Sequence, residues 1–178
     1  GLIGPMIITA RAQARADATP TDVDRELIVG FLEFDETNST LWEENLRTYG
    51  KPPAVLKPDL VFGERNVGPE SQYAFKETLN GLQYGNTSGL TMREGERVRW
   101  YLMASTNFEM HSPHWHGNTV QAAHMTTDVA ALLPMGMLVA DMVPDNPGRW
   151  LFHCHVSAHL LMGMEATYEV LPRAVAAR

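Results

Sequence analysis

Apolar positions along the chain fall in short runs that alternate with polar ones, and rarely repeat at helical spacing. Over Arg97–Met103, Val98, Trp100 and Leu102 alternate with Arg99 and Tyr101, which predicts a strand with one buried face. Met6–Thr9 and Glu26–Phe34 are apolar, β-rich runs and read as further strands. Asn146-Pro-Gly148 reads as a turn feeding a strand over Arg149–His155, and Glu165–Leu171 reads as a closing strand. Ala10–Pro20 is rich in Ala, Arg and Thr with no apolar rhythm, and reads as an exposed connector. Lys51–Pro58 carries three prolines and reads as loop. Leu41–Arg47 fits a short helix, with Ser39 or Thr40 as N-cap and Glu43 and Glu44 in its first turn. Many short strands punctuated by Gly and Pro predict an all-β Greek-key β-sandwich with short helices in its loops. No internal repeat is present.

Composition narrows the class without naming a function. A length of 178 residues suits one domain with a full core, and 44% apolar content is ordinary for a globular chain. The net charge of 14 − 21 = −7 argues against nucleic acid as a partner. No apolar stretch is long enough to span a bilayer. A single cysteine allows no intrachain disulfide, so cysteine usage does not address compartment. No signal peptide is recognisable, and the chain starts with Gly rather than Met.

The chemistry is concentrated in two histidine clusters. His153-Cys154-His155 is followed by His159 and Met164, and His111-Ser-Pro-His114-Trp-His116-Gly117 stands some forty residues upstream. Six of the seven histidines lie in these clusters, with His124 outside. Two imidazoles, a thiolate and a long axial thioether are the ligand set of a blue-copper site. A zinc site would normally carry more thiolates or a Cys₂His₂ spacing.

Strand parity sorts the ligands into two sites. Alternate side chains of an extended strand share a face, so Cys154 points away from His153 and His155. His114 and His116 share a face, and His111 falls on the opposite one. The first site is then His111, Cys154, His159 and Met164. The second is His114, His116, His153 and His155. Cys154 is covalently joined to both His153 and His155, so a short backbone route couples the sites.

His-x-x-His-x-His-Gly followed by His-Cys-His-x₃-His-x₄-Met resembles the C-terminal cupredoxin domain of multicopper oxidases. The resemblance runs along most of the chain and is closest to the ceruloplasmin and hephaestin branch. Gly1-Leu-Ile-Gly-Pro5, Val23-Asp-Arg-Glu26, Leu79-Asn-Gly81, Val98-Arg-Trp-Tyr-Leu102, Asn146-Pro-Gly148 and Met164-Glu-Ala-Thr-Tyr168 carry it. It implies a type 1 copper at His111, Cys154, His159 and Met164. It implies a type 2 copper at His114 and a type 3 pair at His116, His153 and His155. Electrons from a reducing substrate would enter at the type 1 copper, and Cys154, His153 and His155 would pass them to a trinuclear cluster that reduces dioxygen to water. It also implies that residues 1–19 close a preceding domain, that 20–178 form the cupredoxin domain, and that the protein works in an extracellular or periplasmic space.

A family trinuclear cluster uses eight histidines, and this chain offers four. The rest must come from a second cupredoxin domain or an identical subunit, as in a two-fold homo-oligomer. The reducing substrate is open between a phenol, as in a laccase, and a metal ion, as in a ferroxidase. Ferroxidases of this branch place an acidic residue before the second type 1 histidine, where this chain has Ala158. Glu70 and Glu77 are the loosely matching acids. Two other classes compete: a type 1 copper electron-transfer module, and a copper nitrite reductase-like enzyme. Met164 at the axial position implies a moderate potential. Met135, Met137 and Met162 read as packing, Trp100 and Trp150 as core, and Asn38-Ser-Thr40 and Asn86-Thr-Ser88 match the N-glycosylation pattern.

Overall fold

The structure is a computed structural model that describes residues 3–49, 60–61, 64–65, 74–105 and 109–174. Its strands in chain order are β1 (Arg25–Asp35), β2 (Leu60–Val61), β3 (Glu64–Arg65), β4 (Phe75–Leu79), β5 (Thr91–Arg93) and β6 (Val98–Ala104). There follow β7 (Pro113–Trp115), β8 (Val120–Ala122), β9 (Met125–Thr127), β10 (Met137–Met142), β11 (Gly148–Cys154) and β12 (Glu165–Leu171). The helices α1 (Trp42–Tyr49) and α2 (Ser157–Leu161) lie in connections. One sheet has six strands in the order β4-β1-β6-β10-β8-β9, and the other has four in the order β5-β12-β11-β7. Non-sequential neighbours, with β1 parallel to β6 and β12 parallel to β5, make this the expected Greek-key sandwich.

The core forms where the alternating faces of the two sheets meet. Val98, Trp100 and Leu102 of β6 point inward, while Arg99 and Tyr101 point outward. Trp100 stands edge-on to Trp115 of β7 at 5.9 Å and to Tyr168 of β12 at 5.8 Å. Phe31 of β1 meets Phe152 of β11 edge-on at 5.8 Å. Such pairs add about 0.5–1.5 kcal/mol each beyond their buried area. Trp150 differs from Trp100: it lies at the edge of the core, over Gly117.

Several expected boundaries hold to within two residues. Ser39 lies three residues before Trp42, the first residue of α1, and its hydroxyl accepts from the Leu41 amide at 3.2 Å in the turn that leads into the helix. Lys51–Pro58 lies outside the described residues. Met6–Thr9 corrects the sequence reading. It joins no ladder; it runs along the outer face of the larger sheet, beside Tyr101 and Val139. An apolar run becomes a strand only where a sheet edge offers hydrogen bonds, and period alone cannot supply that edge. The connector at 10–20 is mostly exposed, as expected, with one 3-10 turn over Arg11–Gln13. Beyond it, Asp22 ties to the sheet through Arg99, which also pairs with Asp141 at 2.7 Å.

Candidate metal centre

Three elements deliver the first cluster. Cys154 ends β11 on its core-facing side, two residues after Phe152, and is fully buried. His111 precedes β7 and is fixed by reciprocal backbone bonds with Leu132, both 2.9 Å. His159 comes from α2, which β11 enters after a single turn. Cys154 Sγ lies 3.5 Å from His159 Nδ1 and 3.9 Å from His111 Nδ1, and the two Nδ1 atoms are 3.2 Å apart. On a tetrahedral first-row ion, two imidazole nitrogens sit about 3.3 Å apart, and a thiolate and an imidazole about 3.5 Å. The three donors therefore fit a single metal ion. Met164 is fully buried beside them, its carbonyl accepting from the Cys154 amide and its amide donating to the His159 carbonyl, both at 3.0 Å.

Burial tunes these groups toward metal binding. It holds His111 down at about 4, with the neighbouring His159 adding to the effect, so the ring stays neutral and keeps a lone pair. It pushes the Cys154 thiol up from its ordinary value, so the thiolate forms readily only beside a cation. The Ser112 amide points at Cys154 Sγ from 3.4 Å and stabilises that charge.

The second cluster occupies the other face of the same strands. His153 of β11 and His114 of β7 are direct cross-strand partners. His153 Nε2 is 3.2 Å from His114 Nδ1 and 3.0 Å from His116 Nε2. These three atoms converge as ligands of one ion would. His155 shares their face, with its ring 5.0 Å from His114, as close as His153 is at 5.1 Å, so all four rings gather there although His155 does not join the three converging nitrogens. His114, His116, Asp128 and Asp145 line an open pocket of about 340 Å³. Desolvation, followed by the neighbouring histidines, lowers His114. Desolvation also lowers His153. Asp128 lies 3.8 Å from His114 Nε2. The Tyr168 hydroxyl reaches from the core to donate to the His116 carbonyl and holds that loop. Besides their covalent link, the two clusters meet where His153 Nδ1 sits 2.8 Å from the Cys154 carbonyl oxygen.

Sequence reasoning named Glu77 among its loosely matching acids but missed Glu33 and Glu109, which stand with it behind the first cluster. Glu109 Oε2 is 2.6 Å from His159 Nε2, with Glu77 Oε1 at 3.9 Å. Glu33 Oε1 is 3.5 Å from His111 Nε2. Glu33 and Glu77 are cross-strand partners on the inward faces of β1 and β4. The signal was available: Val29, Phe31 and Glu33 share one parity, and a charged residue continuing a buried stripe is anomalous. Glu70 lies outside the described residues. His124, at positive φ in the β8–β9 turn, joins neither cluster.

The sequence profile of the multicopper oxidase family matches residues 55–174, two thirds of the chain. The chain belongs to the multicopper oxidase family. It is 36% identical to human hephaestin over 97% of its own length and 38% identical to human ceruloplasmin over 96%. It spans only 15% and 16% of those proteins. Among solved structures, a multicopper oxidase superposes over 86% of the chain with a TM-score of 0.57 at 16% identity. The blue copper oxidase of Nitrosomonas europaea does so over 84%, also at 0.57, with 18% identity. The chain covers 46% and 45% of those two chains, and at such identities they share its fold. Copper is the metal this family uses, and the two clusters supply donors suited to it.

Proposed function

We propose that this chain is the domain of a multicopper oxidase that takes single electrons from a divalent metal ion such as Fe(II). It passes them to dioxygen at a trinuclear site of which it holds half. The observation that carries this reading is the back-to-back pair of clusters: His111, Cys154 and His159 on one side of β11, and His114, His116 and His153 on the other. Bound copper would supply one-electron redox at the first cluster and dioxygen reduction at the second.

In this reading His111, Cys154, His159 and Met164 hold the type 1 copper. His114 holds the type 2 copper, and His116, His153 and His155 hold the type 3 ions. The gathering of all four rings on one face supports their sharing one cluster of ions. Four histidines from a second cupredoxin domain or subunit complete the cluster above the open pocket. The Cys154 carbonyl and His153 Nδ1 hold the two sites in register. Extracellular or periplasmic working conditions accompany this reading.

The carboxylates favour a metal ion over a phenol. Glu109 is one-third exposed and touches His159, while Glu77 stands behind it in the interior. A hard cation is recognised by carboxylate oxygens, whereas a phenol ring needs an apolar slot. Glu109→Ala should lower kcat/KM for Fe(II) about 10-fold or more beyond whatever change it makes in turnover of a phenolic dye, which reads the shared effect of losing the bond to His159. Equal loss on both substrates would defeat the metal-ion assignment. Copper content separates the wider classes: an electron carrier would hold one copper per chain, and an oxidase completed by its partner would hold two or more.

A further inference from the structure

We propose that Glu33 is a positioning residue for the type 1 copper, acting through His111 and making no contact with substrate. Its side chain is only 6% exposed, and its Oε1 faces His111 Nε2 at 3.5 Å. His111 Nε2 is itself buried and makes no hydrogen bond among the described residues. The opposite ring atom, Nδ1, faces Cys154 Sγ and His159 Nδ1. A neutral imidazole that offers its Nδ1 lone pair to a metal must carry its proton on Nε2. Glu33 Oε1, 3.5 Å from Nε2, is the carboxylate oxygen placed to receive it.

β1 shapes this ring twice. Phe31 packs against the imidazole at a centroid distance of 5.4 Å. Glu33, two residues later on the same inward face, meets the far edge of the ring. Metal at Nδ1 raises the positive charge of the imidazole and makes Nε2–H a stronger donor. The long contact then closes to a charge-assisted hydrogen bond. The carboxylate makes His111 a more basic ligand, which favours the oxidised metal. Glu77 stands directly opposite Glu33 across β1 and β4, so the site places two carboxylates side by side where added positive charge is welcome.

This inference rests on the type 1 reading of His111, Cys154 and His159. The test compares wild type, Glu33→Gln and Glu33→Asp in the copper-loaded protein. Glu33→Gln should lower type 1 copper affinity about 10- to 100-fold. It should also raise the reduction potential, and leave KM for Fe(II) unchanged. Glu33→Asp should recover part of the affinity. An unmoved affinity and potential, or a raised KM at constant potential, would overturn the assignment. If Glu33→Gln does not fold, the wild-type protein loaded with diamagnetic Cu(I) gives the answer by NMR. The His111 ring proton should reside on Nε2 and exchange slowly; a proton on Nδ1 or rapid exchange overturns the proposal. A wild type that takes up copper without a blue band would end the type 1 reading itself. A blue wild type with an unmoved Glu33→Gln ends only the role of Glu33.

Discussion

His153 Nδ1 stands 2.8 Å from the carbonyl oxygen of Cys154, so the two candidate clusters share a hydrogen bond as well as a backbone. The contact fixes the His153 tautomer, with Nδ1–H donating and Nε2 left free to face His114 and His116. Cys154 contributes only its backbone carbonyl to this link, so it survives loss of the thiol. Cys154→Ser should therefore abolish the blue absorption while the histidine cluster keeps its metal. Optical spectra with metal analysis check this. Loss of all copper in the variant would mean that the clusters do not load independently.

Acid should destabilise the metal-free protein through its buried rings. His111 is held at about 4 in the fold, against 6.5 when unfolded, and His114 and His153 are shifted in the same direction. Between those two values only the unfolded chain binds the proton. The stability His111 contributes is thus fully present above pH 6.5 and is lost as pH falls toward 4. The loss from His111 alone is at most on the order of 3 kcal/mol. Urea midpoints of the metal-free protein should fall across that window. A flat profile would show that the ring is not held neutral.

Parity made the two-site division readable, because His111, Cys154, His114 and His153 all lie on or beside strands of regular period. The sandwich was readable for the same reason, through Val98, Trp100 and Leu102. Glu77 was named through the family resemblance, whereas Glu33 was harder, since a lone acid reads as surface unless its strand's inward face is already known. Met6–Thr9 misled because an apolar run carries no record of whether a partner edge exists.

Gly117 should tolerate no side chain. It follows His116, sits at φ +75°, and a Cβ there would overlap the Trp150 ring. The Trp150 indole is held in turn by its bond to the Asn146 carbonyl at 2.9 Å. Gly117→Ala therefore combines a left-handed backbone with a steric clash and should cost about 2–4 kcal/mol. Because relief of the clash displaces His116, metal uptake by the second cluster should fall while the blue absorption persists. Denaturant unfolding and metal analysis check the two effects; a stable variant with full metal content would refute the packing argument.

Met164 gives the sharpest handle on the first cluster. Its side chain is fully buried, and its backbone is bonded to both Cys154 and His159. A weak axial thioether stabilises the oxidised metal and so lowers the potential. Leu conserves volume and removes the sulfur, so Met164→Leu should cost under about 1.5 kcal/mol of stability. The variant should stay blue, and its reduction potential should rise. With the driving force from substrate thereby increased, substrate oxidation should quicken wherever electron entry limits turnover. A redox titration followed at the blue band decides the matter. An unchanged potential in a folded, blue variant would mean that Met164 packs beside the metal without ligating it.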